Sequence, residues 1–498
     1  MTGTDVLSTL PDALDRIERT VAPDTPLLLG ARTVGYGDVF AAARRLVACF
    51  RAAGLGLGDR VLVAGADEGA VAALLVAGLR SGVAVVVADP GADLGGLAGA
   101  LGARAVFAEA PVPVDGPMVL LREPGWLARL TRRVSPTLLE MLDAHPPVAD
   151  WPAPPPATAP ACVLFTAGRH AAPRPVAATH GALAAAVARV SGRIGLDAGA
   201  RLFNPLPLHH AGGLVHGLLA VLLAGGTLVR PWSLELPAGW LLRHRVTHLV
   251  ASPALLAGLE GADATLFRTG AFRLAASLGA GLDERLWRVL EARFGISIVS
   301  FYGPAETLGT AFAAGPDESH RFGTIGRPLG CDFRIADDKG HPVPVGAVGE
   351  LLIRDKPVTR DADSSFGLPG WLPTGDRAAV DADGFVTLLG RTGAAPVGTC
   401  PERTAAALRA HPDVAEAAVV AGHGGLAACV ALRRPVPVDA LREHLRDLVP
   451  PDVLPDALHV LPALPRDALG GPDLRALAAL AVRSAPAATT LRVEGPAA

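Results

Sequence analysis

The chain is long, apolar and almost neutral. It has 498 residues, of which 50% are hydrophobic, and a formal net charge of -3. A chain of this length is too long to form a single ordinary hydrophobic core, so two or more domains are expected. The charged residues form no basic run, which argues against nucleic acid or an anionic membrane surface as a partner. Small molecules and proteins are the expected partners.

The amino terminus and the cysteines predict a cytoplasmic protein. Residues 1–5 lack the features of a signal peptide, and Arg80 interrupts the longest apolar run, residues 74–87. Five cysteines are scattered without paired or metal-ligand spacing, which is typical of reduced thiols. We therefore expect no membrane partner and no cysteine nucleophile.

Helical and strand-like patterns alternate through the first 150 residues. Apolar spacing predicts helices over 36–53 and 70–81, and short apolar runs predict strands over 60–64 and 83–88. Such alternation favours a layered α/β fold with a largely parallel sheet.

Proline interrupts this pattern between residues 146 and 160. Its density there excludes a helix or central strand, so the segment is predicted to be a surface connection. Further strands are predicted over 161–165, 349–354 and 384–389. Residues 405–420 then indicate a helix, a turn and a strand.

Three short motifs follow one another in the second half of the chain, at residues 300–307, 374–376 and 390–391. Each alone is most simply a turn, a loop or a solvated arginine. In this order and spacing they resemble the nucleotide pocket of adenylate-forming enzymes, a family of acyl-CoA synthetases, peptide-synthetase adenylation domains and firefly-type luciferases. Segments 54–61, 81–90, 179–181 and 405–420 are also similar to that family, so the resemblance covers essentially the whole chain.

The resemblance implies both a fold and a reaction. The fold is a large α/β domain with a β-rich subdomain over residues 1–390 and a small α+β lid domain over 391–483. Residues 484–498 have no periodic pattern and are predicted to be a loose tail. The family's reaction activates a carboxylate with ATP to give an acyl-AMP and pyrophosphate.

The family motifs also imply a nucleotide site. Tyr302 would flank adenine, Asp376 would accept the ribose hydroxyls, Arg391 would support the ribose, and Glu306 would face the magnesium ion of bound ATP. The implied nucleotide-binding positions are Thr166, Gly168, Tyr302, Gly303, Asp376 and Arg391.

An acyl site is implied by residues 207–214, which resemble a family loop whose histidine lies beside the acyl group and moves when it binds. His210 is the matching position and a candidate general base. A metal site at the paired histidines is disfavoured because no third ligand has suitable spacing, and His216 is interpreted as a core histidine. The implied acyl-pocket residues are His209, Ser252, Gly279, Ala280 and Gly281.

The phosphate-binding loop departs from the family pattern. In the family this loop carries small hydroxylated residues and glycines and ends in proline-lysine. Here it spans residues 165–174, and Ala171 does not readily adopt the positive φ of glycine. Arg169 could bind a different anion or point to solvent, and both readings stay open. The changed positions are Arg169, His170, Ala171 and Arg174.

The family's catalytic lysine is also missing. That lysine stabilises charge between the carboxylate and the α-phosphate, and its position here is Gly471. The chain has only two lysines, Lys339 and Lys356, and neither lies in a matching motif. Replacement by Arg466 or Arg475 is conceivable. The segment after Arg391 lacks the acidic hinge residue, which argues against standard thioester formation with CoA or pantetheine.

Three hypotheses follow from this pattern of conservation and loss. The favoured one is an acyl-activating or acyl-transferring enzyme that acts on a small carboxylate-derived substrate. It keeps an AMP and acyl pocket but has impaired or absent ATP-dependent adenylation. The second is an ordinary ATP-dependent ligase acting on a small carboxylate, with a carrier protein as a possible partner. The third is a non-catalytic scaffold or regulator.

Overall fold

A computed structural model describes most of the chain. Among the described residues, no helix combines the length and apolarity needed to cross a bilayer. The described residues are 9–30, 32–121, 136–166, 173–231, 238–263, 271–316, 321–355, 370–391, 401–421, 425–467 and 470–483.

Helices cover both the long amino-terminal part and the carboxy-terminal part of the chain. The α-helices are α1 (Leu10–Thr20), α2 (Tyr36–Ala52), α3 (Glu68–Ser81), α4 (Leu94–Leu101), α5 (Leu138–Asp143), α6 (His180–Ile194), α7 (Ala211–Gly213), α8 (Ala220–Ala224), α9 (Ala238–Arg243), α10 (Pro253–Ala257), α11 (Glu284–Phe294), α12 (Pro401–Arg409), α13 (Val438–Leu448) and α14 (Leu474–Arg483). A π-helical segment, Leu214–Leu219, joins α7 to α8, and 3₁₀ turns occupy Ala305–Thr307 and Pro451–Val453.

Strands alternate with these helices. They are β1 (Pro26–Leu29), β2 (Thr33–Gly35), β3 (Arg60–Ala64), β4 (Ala84–Val87), β5 (Ala103–Ala108), β6 (Met118–Leu120), β7 (Pro160–Phe165), β8 (Pro175–Thr179), β9 (Arg201–Phe203), β10 (Thr227–Val229), β11 (His248–Ala251), β12 (Leu274–Ser277), β13 (Ser297–Tyr302), β14 (Phe312–Ala314), β15 (Arg327–Pro328), β16 (Asp332–Ala336), β17 (Gly349–Arg354), β18 (Leu372–Val380), β19 (Val386–Arg391), β20 (Val414–Ala421), β21 (Leu426–Leu432) and β22 (Ala457–Val460).

The largest sheet has the order β15-β14-β13-β12-β11-β9-β10-β1-β2. Its strands from β1 to β13 along this order pair in parallel, and β2, β14 and β15 are antiparallel additions. Because parallel strands all end at the same edge, the residues after β9, β10, β11, β12 and β13 meet at one edge. In open α/β sheets such carboxyl edges are where ligands bind.

A second sheet, β6-β5-β3-β4-β7-β8, encloses the main core with the first. Strand β3 shows how the layers form: Val61 and Val63 join the core shared with the largest sheet, whereas Leu62 and Ala64 face a separate cluster beneath α4. This alternation follows from the two-residue period of a strand. Both sheet faces are therefore buried, which explains the continuous apolar runs read from the sequence.

Two smaller sheets complete the chain. Strands β16 to β19 form an antiparallel sheet, and β20, β21 and β22 form the sheet of the carboxy-terminal part. Helices α12 and α13 pack on the latter around Leu408, Leu441 and Leu445, all fully buried. The expected tail over 484–498 lies outside the described residues.

Three buried histidines of the described chain predict acid sensitivity. Burial lowers the pKa of His180, His216 and His248 to about 4 in each case. As the pH falls through 6.5, the unfolded chain binds protons on these imidazoles and the folded chain does not, so stability decreases. At pH 5 each histidine should lower the unfolding free energy by about 2 kcal/mol. Urea unfolding at pH 7.5 and pH 5 measures this loss.

A single variant isolates one histidine from the carboxylates that also titrate. His248→Leu should reduce the difference in unfolding free energy between the two pH values by about 2 kcal/mol. An unchanged difference would contradict a neutral, buried His248.

Candidate active site

Tyr302, Asp376 and Arg391 come together where the largest sheet meets the β16–β19 sheet. The Tyr302 hydroxyl donates to Asp376 Oδ2 at 2.5 Å, and Arg391 Nε lies 3.3 Å from Asp376 Oδ1. Burial and the neighbouring carboxylate raise the pKa of Tyr302 well above its usual value, so the hydroxyl keeps its proton. The carboxylate of Asp376 therefore faces one neutral donor and one cation.

The backbone around Asp376 is held by its own strand. Thr374 donates its hydroxyl to Leu351 O at 2.8 Å and accepts the Asp376 amide at 3.0 Å, while Arg391 Nη2 donates to Thr374 O at 3.0 Å. Asp376 and Arg391 are also register partners in the β18–β19 pair. Sheet geometry thus fixes the distance between the carboxylate and the guanidinium.

A second carboxylate lies beside this group. Glu350 Oε1 accepts the Gly375 amide at 3.0 Å, and burial together with the charge of Asp376 raises the pKa of Glu350. Glu350 was not among the residues predicted from sequence. In the sequence it is a single glutamate at the second position of the predicted strand 349–354, and such a residue alone does not indicate a site.

Glu306 lies on the 3₁₀ turn Ala305–Thr307, immediately after β13, and is half-buried. Among the described residues, no group of three or more histidine, cysteine, aspartate or glutamate side chains could hold a metal ion. A lone carboxylate fits Mg²⁺ that arrives with nucleotide phosphates, since Mg²⁺ commonly binds through one or two carboxylates plus phosphate oxygens. It does not fit a resident all-protein metal site.

The histidine loop is anchored by Asn204, which follows β9. Its side-chain amide donates to Gly212 O at 2.8 Å, and its oxygen accepts the Leu206 amide at 2.8 Å. Arg230, which follows β10, donates to Leu206 O at 2.6 Å and pairs with Glu68 at 2.6 Å. Sequence reasoning missed Asn204 and Arg230. Their common signal is a polar residue directly after a buried strand.

His209 and His210 lie side by side on this loop, with ring centroids 4.6 Å apart. His209 Nε2 is 3.9 Å from Asp89 Oδ2, and burial lowers the pKa of His209 while Asp89 opposes the shift. His210 begins helix α7, and its carbonyl accepts the Leu214 amide at 2.9 Å. The loop thus places two adjacent imidazoles near the carboxyl edge of the largest sheet.

The other predicted acyl-pocket residues follow β11 and β12. Ser252 is buried and caps α10 by accepting the Leu255 amide at 3.4 Å, whereas Gly279, Ala280 and Gly281 are exposed. The structure therefore places all these residues at the same edge as the histidine loop. Their role in acyl binding remains a prediction.

The phosphate loop is described only at its two ends. Thr166 accepts the Arg174 amide through its hydroxyl at 2.9 Å, and its own amide donates to Arg174 O at 3.0 Å. These bonds continue the antiparallel β7–β8 pair to the base of the loop. The predictions for Gly168, Arg169, His170 and Ala171 lie outside the described residues.

Gly471 lies in a tight hairpin of the carboxy-terminal part. The Asp467 amide donates to Gly471 O at 2.8 Å, and the Gly471 amide donates to Asp467 Oδ1 at 2.9 Å. Gly470, with φ of 76°, faces α10, since a Cβ placed on it would lie 3.3 Å from Leu255 Cδ2. The hairpin thus contacts α10, the helix capped by the predicted acyl-pocket residue Ser252.

The residues considered as substitutes for the family's catalytic lysine are held by other contacts or are exposed, where the structure describes them. Arg466 forms an ion pair with Glu416 and donates to Gly470 O at 3.3 Å. Arg475 is exposed on α14, and Lys339 is exposed in the turn between β16 and β17. Lys356 lies outside the described residues.

Family models match both parts of the chain. The AMP-binding enzyme model matches residues 17–361, and the model for the AMP-binding enzyme C-terminal domain matches residues 404–470. The chain belongs to the AMP-binding enzyme family.

Individual relatives of the family agree with this assignment. A sulfoacetate–CoA ligase from Cupriavidus necator is 32% identical over 88% of this chain and 93% of its own length. An indoleacetate–CoA ligase from Aromatoleum aromaticum is 29% identical over 62% of this chain and 65% of its own. A solved benzoate CoA ligase from Burkholderia xenovorans LB400 has a TM-score of 0.81 at 24% identity, covering 95% of this chain and 100% of that one, and shows the fold alone.

Membership of the AMP-binding family confirms two predictions. The fold class is confirmed, with a large amino-terminal α/β domain and a small carboxy-terminal domain, and so is an enzyme of the synthetase and ligase type. Binding of AMP or ATP belongs to the same family assignment. The domain boundaries at 390 and 483 and the individual site residues remain predictions.

Proposed function

We propose that this enzyme binds AMP or an acyl-adenylate and transfers the acyl group of a small carboxylic acid from the adenylate to an amine, alcohol or carrier nucleophile, with AMP as the leaving group. Its own ATP-dependent adenylation step is impaired or absent. The observation that carries the proposal is the hairpin at Gly471. Its Gly470 lies next to Leu255 of α10, the helix capped by the predicted acyl-pocket residue Ser252. The hairpin carries glycine where the family has its catalytic lysine, and Arg466 is bound to Glu416.

The nucleotide site supports retained binding. Asp376 can exchange the Tyr302 hydroxyl for a ribose hydroxyl, since both are neutral donors to the same carboxylate. Arg391 keeps that carboxylate charged and oriented. These groups serve AMP and an acyl-adenylate equally, because neither requires contacts to the β and γ phosphates.

The proton acceptor for transfer would come from the histidine loop. Burial lowers the pKa of His209, which favours its neutral form, and a neutral imidazole on this loop can take a proton from an incoming nucleophile. Asp89 near His209 would stabilise the resulting imidazolium. We assign the base to His210, the position that matches the family loop.

The acyl group is proposed to come from a small carboxylic acid. The named relatives act on sulfoacetate and indoleacetate, and the structural neighbour on benzoate. Gly279, Ala280 and Gly281 are small and exposed, and they follow β12 at the same sheet edge as Ser252, which is compatible with such acids. Adenylate analogues of these three acids are the first ligands to test.

Calorimetric titration distinguishes this proposal from its alternatives. We expect AMP to bind and ATP with magnesium to bind more weakly or not at all. Tighter binding of ATP would favour the ordinary ligase, the second candidate, which the whole-length match to a CoA ligase supports. If neither nucleotide binds, the hypothesis of a non-catalytic scaffold or regulator is favoured.

A further inference from the structure

His216 contacts both ends of the segment that carries Tyr302 and Glu306. Its side chain is fully buried, and its ring packs edge-to-face on Phe301, with centroids 4.9 Å apart at 85°. Its Nε2 lies 3.2 Å from Leu308 O. Phe301 directly precedes Tyr302, and Leu308 comes two residues after Glu306. One side chain therefore braces the segment on both sides.

The contact at Leu308 holds an unusual turn. Leu308 has φ of 55°, a left-handed conformation that side-chain-bearing residues rarely adopt. Its inward carbonyl needs a donor, and a neutral His216 protonated at Nε2 supplies one. Gly309, with φ of 73°, admits the ring, since a Cβ there would lie 3.1 Å from Nε2.

The helical segment that carries His216 is also joined to the histidine loop. His216 lies in the π-helical segment Leu214–Leu219, which continues directly from α7 and its first flanking residue, His210. π-Helical turns inside α-helices are frequent at functional sites. Five residues of continuous helical backbone, 211–215, thus join the candidate base to the imidazole that braces the nucleotide segment.

We propose that His216 is a positioning residue that fixes the Tyr302–Glu306 segment relative to the histidine loop. The proposal rests on the proposed nucleotide site. The ring does more than fill the core, because its Nε2 lies within hydrogen-bond distance of Leu308 O, directly after the Glu306 turn. Within the described structure its Nδ1 has no hydrogen-bond partner, so this role runs through Nε2 and the ring face.

The tyrosine content of the chain provides a direct test. Only two tyrosines occur, Tyr36 and Tyr302, so ¹³C-tyrosine labelling gives two ring signals, which Tyr302→Phe assigns. The variants are His216→Leu, which removes the donor, His216→Phe, which keeps a ring without a donor, and His216→Gln, which restores an N–H. His248→Leu is the matched control, because His248 is equally buried and begins β11 at the opposite edge of the sheet.

We expect His216→Leu and His216→Phe to shift the Tyr302 signal and to weaken AMP binding about tenfold, the effect of one unsatisfied buried carbonyl. Gln at this position should keep AMP binding within about threefold of the wild type. The Tyr36 signal should stay in place in all variants, and His248→Leu should change neither tyrosine signal nor AMP affinity.

Two results overturn the proposal. The first is a Tyr302 signal that does not move in either His216→Leu or His216→Phe. The second is AMP binding as weak in His216→Gln as in His216→Leu, which would mean that His216 only fills the core. If the wild type does not bind AMP but the Tyr302 signal still moves in the donor-free variants alone, positioning stands and the proposed nucleotide function fails. The two failures are therefore distinguishable.

Discussion

Gly471→Lys is expected to raise ATP–pyrophosphate exchange by about two to three orders of magnitude over the wild type, in the presence of a carboxylate substrate. A cation aimed at developing charge in a water-poor site contributes on that scale. The hairpin already places position 471 next to the turn that contacts Leu255. The positive φ belongs to Gly470, so a side chain at position 471 does not have to adopt a left-handed backbone conformation.

Gly471→Met is the matched control, because it adds a side chain of similar length without the charge. Gly471 is buried, so both variants will lose some stability, and thermal melts of the pair show whether that loss is shared. Exchange would be measured with sulfoacetate, indoleacetate and benzoate. Equal rates in the Lys and Met variants, or rapid exchange in the wild type, would contradict the proposed loss of adenylation.

Asp376→Asn should weaken AMP binding about a hundredfold. A carboxylate accepts two ribose hydroxyls as charge-assisted bonds, and each such bond contributes about 1.5 to 3 kcal/mol. The substitution also leaves Arg391 without its partner at 3.3 Å. Calorimetry with AMP and with 2′-deoxy-AMP measures the effect, and the preference for AMP over the deoxy analogue should disappear in the variant.

Tyr302→Phe serves as the control for this prediction. It keeps the ring that would flank adenine but removes the hydroxyl now bonded to Asp376. With that competing donor absent, AMP affinity should be unchanged or a few-fold tighter. If Asp376→Asn binds AMP as well as the wild type does, the assigned ribose contact is wrong.

Local sequence patterns predicted two helices and five strands of the large domain, a minority of its elements. The strand at Arg60–Ala64 and the strand at Gly349–Arg354 have the predicted bounds, because short apolar runs between turn residues define them clearly. Helix α3 begins at Glu68, two residues before the prediction, since Asp67 acts as its N-cap by accepting the Ala70 amide. A capping carboxylate extends a helix beyond its apolar stripe.

Long-range contacts in the site could not be read from sequence patterns. Family motifs assigned Tyr302 and Asp376 to one pocket, but the bond between them joins residues 74 positions apart on different sheets. His216 was expected to be a core histidine, and it is fully buried. Its contact with Leu308 depends on a π-helical register and a left-handed turn, which apolar periodicity does not encode.

The chain has only two lysines among its 45 basic residues, and two of its arginines contact the proline-rich connection over 146–160. Prolines carry carbonyl acceptors but no amide donors, and Arg44 donates to Val148 O and Ala149 O. The guanidinium groups of Arg44 and Arg80 also lie 4.3 and 4.8 Å from the Trp151 ring centroid. Lysine would preserve the charge but not the planar fork that bonds two carbonyls while stacking on indole. Replacing these two arginines with lysine would therefore weaken the attachment of the connection without altering the net charge, and the bond from Trp151 Nε1 to Glu18 would remain.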